Sequence, residues 1–414
     1  MKKTLLLSVV TSTMIMAGGD IAPVEPVVEA PAPVAGNTLA DAFVNGTLTG
    51  EIKSVWSTSN FLGKADSTNV LALGGSLGYV TGSYHGLKLG ATFQTTHVLD
   101  ASDDTGALKD FGPIDDQPLD ISGERLSEAY LAYSLGNTTL KVGRQYIHTP
   151  LVSSANNGKS SEGLVSDSFA AALITNTDLP DTFLAAGYIT EYQAKSDGLG
   201  NIGEFNDLED GAFTFYVKNN SITDLTLQAQ YAELKGNLPA SDVNVIFLQS
   251  DYKLSGHTLS AQYFKSDSND VDGSIWAVQA TGPLGLGKLG YLVAYSDSMD
   301  DNSAAMGVGS GAGDALFTAV PVEGAGVPTR PNTSTVVGAL VVPTSVATFI
   351  PYVGNSMKDD GLGDVLVYGA MAIAPIGKNF TLTAKYEYSN LENIFGPFAE
   401  EDNNIARVYA SYTF

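Results

Sequence analysis

The residues of this chain that could do chemistry are charged side chains set at every second position of alternating stretches, and the chemistry they suggest is the sorting of charge. In 380–388, Lys385 and Glu387 share a parity with Thr381 and Thr383, while Phe380, Leu382, Ala384, Tyr386 and Tyr388 hold the other. Read the same way throughout, one face collects the cations Lys53, Lys88, Lys141, Lys218, Lys253, Lys385 and Arg407 and the acids Glu51, Glu128, Glu191, Asp251 and Glu387. Lys53 lies on the first such stretch and Lys385 and Arg407 on the last two. They become neighbours only if the sheet closes on itself, and would then form one basic strip flanked by Glu51 and Glu387. Other chemistries find little support. His85, His97, His148 and His257 lack an adjacent nucleophile motif, so no enzyme is expected. The chain has no cysteine, hence no thiolate metal site. The acids of 103–120 do not have the spacing of a calcium-binding EF-hand loop, and no metal or other cofactor is expected.

Period-two alternation puts successive side chains on opposite faces of a strand. In 46–57, Leu48, Ile52 and Trp56 oppose Thr47, Thr49, Glu51 and Lys53; in 86–96, Leu87, Leu89, Ala91 and Phe93 oppose Lys88, Thr92, Gln94 and Thr96. In 225–232, Leu225, Leu227, Ala229 and Tyr231 oppose Thr226, Gln228 and Gln230. Short turns are expected at 82–86, 136–138, 176–181, 219–224, 255–257, 283–288, 343–345 and 375–379, alternating with nine longer polar loops. The longer loops fall near 58–68, 98–124, 149–164, 194–210, 233–242, 266–272, 297–332, 356–362 and 391–402. Strict alternation of tight turn and long loop is the pattern of a transmembrane antiparallel β-barrel with short periplasmic turns and long extracellular loops. The count is about eighteen strands. Residues 333–355 do not alternate; two strands around Pro343 preserve eighteen, and a single helix there leaves sixteen.

The bulk properties agree with an all-β membrane protein. Charged residues make up 16% of the 414, glycine occurs 44 times, mean hydropathy is +0.06 and net charge is −24. Strands with one face in lipid and one in water give that mixture, and the acidic balance argues against nucleic acid as a partner. Residues 1–17 pair Lys2 and Lys3 with a short apolar run, the pattern of a cleaved signal peptide, with cleavage expected within 17–19. Residues 18–45 read as a Pro-rich acidic periplasmic segment with one helical turn near 39–43, and 46–414 as the barrel. On the lipid side, Trp56, Tyr231, Tyr263, Tyr295 and Tyr388 fall near loop ends, and Tyr79, Tyr133, Tyr252, Phe380 and Tyr412 near turn ends, as two aromatic girdles. The last strand puts Phe414, Tyr412, Ala410 and Val408 on one face. An apolar strand edge ending in phenylalanine suits strand addition and reads as a signal for the outer-membrane assembly machinery.

The eighteen-strand plan, LKVGRQYIHTPL at 140–151 and GAGDALF at 311–317 together resemble the OprD-type outer-membrane porins, and the start GGDIAPVEP is similar to their campylobacterial (epsilon-class) relatives. The resemblance implies a passive diffusion channel for ions and small polar solutes in the outer membrane of a Gram-negative bacterium. Its third and seventh loops would narrow the pore beside basic wall residues. Here those loops are about 149–164 and 297–332, and Gly143, Arg144, Gln145 and Pro150 match the family element leading into loop three. Arg144 has the parity of lipid-side Leu140 and Val142, so it either stands above the lipid or is turned inward by a bulge. No arginine-containing stretch follows loop three, which departs from closer OprD relatives and leaves open a preference for small carboxylates or amino acids. Membrane lipid, lipopolysaccharide, the assembly machinery and small solutes or ions are the implied partners, with a homotrimer as one possible assembly. An adhesin or structural barrel bearing acidic loops is the alternative of another class.

Overall fold

A computed structural model describes residues 38–60, 68–102, 119–155, 159–235, 242–268, 271–359, 363–390 and 402–414. The expected signal peptide, residues 18–37 of the Pro-rich segment with the GGDIAPVEP stretch, and most acids of loop two lie outside these residues. A six-residue helix, α1 (Leu39–Val44), precedes the sheet, its first turn closed by a capping box between Thr38 and Asp41. Eighteen strands follow. The first six are β1 (Thr47–Asn60), β2 (Thr68–Val80), β3 (Leu87–Ser102), β4 (Gly123–Leu135), β5 (Thr138–Gln145) and β6 (Ser168–Asn176). Next come β7 (Thr182–Gln193), β8 (Phe205–Ile222), β9 (Leu225–Leu234), β10 (Val243–Leu254), β11 (His257–Ser268) and β12 (Val271–Pro283). The last six are β13 (Gly290–Ser298), β14 (Thr333–Pro343), β15 (Thr348–Lys358), β16 (Val365–Ile376), β17 (Phe380–Asn390) and β18 (Asp402–Thr413). Pro343 ends β14 at a sheet turn, where its missing N–H costs nothing, so residues 333–355 form two strands and the count is eighteen.

Every strand pairs antiparallel with its sequence neighbours, and β18 pairs with β1 to close the barrel. At the seam Gly50 and Phe414 exchange backbone hydrogen bonds of 2.9 and 3.0 Å. All eight expected turns are present. Those at His85–Gly86 and Ser255–Gly256 place both residues at positive φ (50° and 87°, 51° and 85°), the twist that suits a two-residue hairpin. One outer connection is shorter than expected: only two residues separate β11 from β12.

The alternation has the physical outcome expected of it. Leu48, Ile52 and Trp56 of β1, Leu87, Leu89 and Phe93 of β3, and Leu382 and Tyr386 of β17 all stand exposed on the outer face. No helix among the described residues is long and apolar enough to cross a membrane; the strands carry the apolar band. Of the girdle residues, Trp56, Tyr133, Tyr231, Tyr252 and Tyr412 are exposed, whereas Tyr79, Tyr263, Tyr295, Tyr388 and Phe380 are half-buried against outer-face neighbours. Tyr388 stacks on Tyr368, and its hydroxyl donates to Asp402 at 2.8 Å; Tyr231 donates likewise to Asn244 at 2.9 Å. Inside, the barrel is not empty. Wall residues such as Phe247, Phe264 and Ile350 share one buried cluster with Leu151 and Val152 of the 146–167 loop and Leu316 and Phe317 of the 299–332 loop.

Candidate functional site: two loops tied to the barrel wall

Loop three leaves β5 at Gln145 and returns at Ser168; loop seven joins β13 to β14. Both run inside the barrel and bond to each other. The Ser153 N–H donates to the Val308 carbonyl (3.1 Å), and the Val308 N–H to the Leu151 carbonyl (2.8 Å). Asp314, buried in a short 3-10 turn of loop seven, accepts hydrogen bonds from the hydroxyls of Ser160 and Ser161. Asp167 accepts the N–H of Ser310 in loop seven and, at 2.7 Å, that of Lys195.

Three wall glutamines hold these loops, two of them as a strand would. A primary amide offers one donor and one acceptor side, as a peptide group does. Gln94 on β3 donates to the Ser166 carbonyl (2.8 Å) and accepts the Ser166 N–H (3.0 Å). Gln262 on β11 donates to the Ala315 carbonyl (3.0 Å) and accepts the Phe317 N–H (2.8 Å). Gln230 on β9 accepts the Leu151 N–H at 2.9 Å.

The charges carry the strongest tie. Lys385 and Arg407 pair directly across β17 and β18, and Lys53 stands on adjoining β1, so closure brings the three to one sector of the wall. They do not face an open lumen. Glu162 of loop three lies between the two lysines, its carboxylate 3.2 Å from Lys53 Nζ and 2.9 Å from Lys385 Nζ. Lys53 is 3% exposed, Lys385 2% and Glu162 5%. Both ammonium groups also lie 5.5 Å from the centre of the Tyr409 ring, whose face attracts cations. Burial pushes the Glu162 carboxyl up, but Lys385 and then Lys53, by charge and hydrogen bond, overcome it and hold the group at about 2. Lys385 further donates to the carbonyls of Lys159 (3.0 Å) and Pro321 (3.5 Å), joining loop three to loop seven. The expected solute-facing strip is therefore corrected: it is assembled, but its residues are buried, and a loop carboxylate covers its two lysines.

Glu387 is likewise turned to structure. Its carboxylate accepts the N–H groups of Val322 (3.2 Å) and Glu323 (2.7 Å) in loop seven and the Tyr352 hydroxyl (2.5 Å). Glu323 in turn accepts from Ser389 and Asn403, each at 2.8 Å. Behind loop three, Lys195 is fully enclosed. Burial lowers its pKa against the pull of Asp167 and Asp314.

The remaining wall charges stand in more open surroundings. Lys141 bridges Glu128 at 3.2 Å and lies over the Tyr130 ring at 3.7 Å. Asp251 accepts from Gln249 at 2.9 Å, and Glu51 from the Ser411 hydroxyl. Lys88 and Lys218 are half-buried, Lys253 is exposed, and none of the three has an ion pair among the described residues. Glu191 departs from its expected parity. A bulge between Ile189 and Glu191 shifts the register, so Glu191 pairs with Ala170 while the next residue, Tyr192, meets buried Phe169. Arg144 keeps the parity of Leu140 and Val142 and lies over the Phe205 ring at 4.0 Å, so no bulge turns it inward. Gly143 has φ 122° and its Cα faces the β4 backbone too closely for a side chain; Gln145 and Pro150 are buried at the start of loop three. Val408, Ala410 and Tyr412 of β18 and Phe414 just beyond it share the outer face.

Alternation in the sequence does not single out Glu162, Asp167, Lys195, Asp314 or Glu323, which all lie outside the strands. Two signals were available: Asp314 lies inside the GAGDALF motif, and Glu162 is the one acid of the loop-three segment 149–164.

No protein-family model matches the chain, and no curated protein sequence is similar to it. Solved structures are. OpdO of Pseudomonas aeruginosa superposes with a TM-score of 0.69 over 91% of this chain and 98% of its own, at 13% identity. OccD3 (OpdP) of the same organism gives 0.68 over 96% and 99%, at 14% identity. OccAB1 of Acinetobacter baumannii gives 0.70 over 93% and 99%, at 11% identity. At such identities the likeness is one of fold, and this chain has the eighteen-strand barrel fold that runs nearly end to end through those proteins.

Proposed function

We propose that the chain is an outer-membrane porin of a Gram-negative bacterium, a passive channel whose bore is set by loops three and seven. One observation carries this reading: a closed barrel of eighteen strands has its interior narrowed by two loops, tied to the wall through Glu162 and three glutamines and to each other through Asp314. Barrels of this size are too wide for wall side chains to fill and leave an aqueous channel. The shared fold of OpdO, OccD3 and OccAB1, which are OprD/Occ porins, supports it. Solutes move down their gradients, sorted by size and by local charge. A small-carboxylate preference draws no support from Lys53 and Lys385, whose charge Glu162 answers. The signal peptide, contacts with lipopolysaccharide, recognition of Phe414 by the assembly machinery and a trimeric state belong to the same reading as its expected setting. The campylobacterial kinship rests on the GGDIAPVEP stretch alone.

Purified protein in a planar lipid bilayer tests the proposal. Discrete, ohmic conductance steps with a reversal potential under a salt gradient are expected. A barrel that inserts and never conducts would favour the adhesin or structural alternative.

A further inference from the structure

Helix α1 carries a feature that neither the channel nor its loops require. Leu39 is 56% exposed, Phe43 47% and Val44 84%, on a helix only six residues long. At 100° per residue, Leu39, Ala40, Phe43 and Val44 occupy one continuous arc, while buried Ala42 lies on the opposite side. A six-residue helix is marginal by itself, and this one is held from outside: the Gly82 N–H, in the turn between β2 and β3, donates to the Ala42 carbonyl at 2.8 Å. The Tyr79 hydroxyl donates to the Phe43 carbonyl. Tyr79 has the outer-face parity of Leu71, Leu73 and Leu77 on β2, and its ring covers Gly46, where any side chain would collide with it. The helix is thus pinned to the short-turn rim by a residue of the lipid-facing surface. Its apolar arc leads through Val44 to Leu48 and Ile52, the first exposed outer-face aliphatics of β1.

We infer that α1 is an interfacial foot, with Leu39, Phe43 and Val44 seated in the headgroup–acyl boundary of the periplasmic leaflet. A short amphipathic helix lying in that plane gains from each apolar side chain it buries, and tyrosine is suited to the same level. The occupant of the exposed arc is a lipid surface, because the arc continues the barrel's own apolar band. The inference rests on the outer-membrane reading, and the test separates the two.

The absence of native cysteine makes single-site labelling clean. Phe43→Cys, Leu77→Cys in the apolar band and Lys378→Cys in the turn after β16 each receive a nitroxide. The proteins are reconstituted in phosphatidylethanolamine–phosphatidylglycerol vesicles, and collisions with oxygen, which partitions into lipid, are compared with those of a polar nickel chelate. The label at 43 should favour oxygen several-fold more than the label at 378 and approach the label at 77. Chelate access at 43 equal to that at 378, with 77 still protected, overturns the foot and leaves the barrel reading intact. Protection at 43 from both probes means a protein covers the arc, a second copy or another part of this chain, and also overturns it. Free chelate access at 77 removes the membrane reading and the foot with it.

Discussion

Lys53 and Lys385 face inward by the same alternation as Lys88, Lys218 and Lys253, yet the two sets have opposite surroundings. The first pair is sealed under loop three with Glu162 between them; in the second set Lys88 and Lys218 are half-buried and Lys253 is exposed, without ion pairs among the described residues. Parity decides which face a charge is on. What lies against that face decides whether it meets water, solute or another part of the chain. A buried ammonium is costly unless paired, and Glu162 supplies the pairing for two at once. On the proposed porin reading, the covered lysines hold the constriction, and the others shape the field that a permeating ion would feel.

The contrast can be broken most severely at Glu162. Glu162→Gln leaves two buried ammonium groups facing a neutral amide. Removing one partner of a buried pair typically costs about 3–5 kcal/mol, so the variant should unfold in detergent several degrees below the native barrel. Unchanged thermal stability would mean that loop three does not depend on this tie. Acid should act on the same group. The folded carboxyl titrates at about 2, below its ordinary value of 4.5. The contribution it makes is therefore fully present above about pH 4.5 and is lost as pH falls through about 2. Conductance should stay level from pH 8 to pH 5 and grow noisier as pH falls below 4. Glu162→Gln should lack that acid step.

A smaller effect is expected at the junction between the loops. Asp314→Asn exchanges a carboxylate that accepts two hydroxyls and the Ser161 N–H for an amide able to accept on one side only. The loss should be about 1–3 kcal/mol, with flickering steps and little change in mean conductance. The smallest effect on the fold should come from Lys88→Gln, Lys218→Gln and Lys253→Gln combined. Substitutions away from buried networks and ion pairs usually stay within about 0.5 kcal/mol. Their mark should be a reversal potential shifted towards cations, fading as salt shortens the Debye length from ~8 Å at 0.15 M. Native selectivity in the triple variant would show that these lysines do not shape the permeation field.

The strands were legible because a barrel wall obeys one local rule: alternate residues meet lipid and lumen. That rule, with eight turns, points to about eighteen strands; residues 333–355 do not alternate, and only the turn at Pro343 hints at the pair found there. It failed where the backbone leaves the regular pleat, as at the bulge that displaces Glu191. It carried no information on how the loops fold. Ser161 meets Asp314 across 153 residues of sequence, and Lys385 meets the Lys159 carbonyl across 226. Such partners follow from closure of the whole barrel, not from spacing. The wall glutamines show the boundary well: alternation puts Gln94 and Gln230 on the inner face, and only the folded loops reveal that each accepts a loop peptide N–H.

Glu162 is the tie that holds loop three inside the barrel, and single-channel recording of the proposed porin decides whether that tie sets its bore. At neutral pH the native protein should give steady steps of one size. Glu162→Gln should give larger, noisier steps from the same number of insertions, because the freed loop no longer narrows the bore. Steps of identical size and noise in the two proteins would contradict the account.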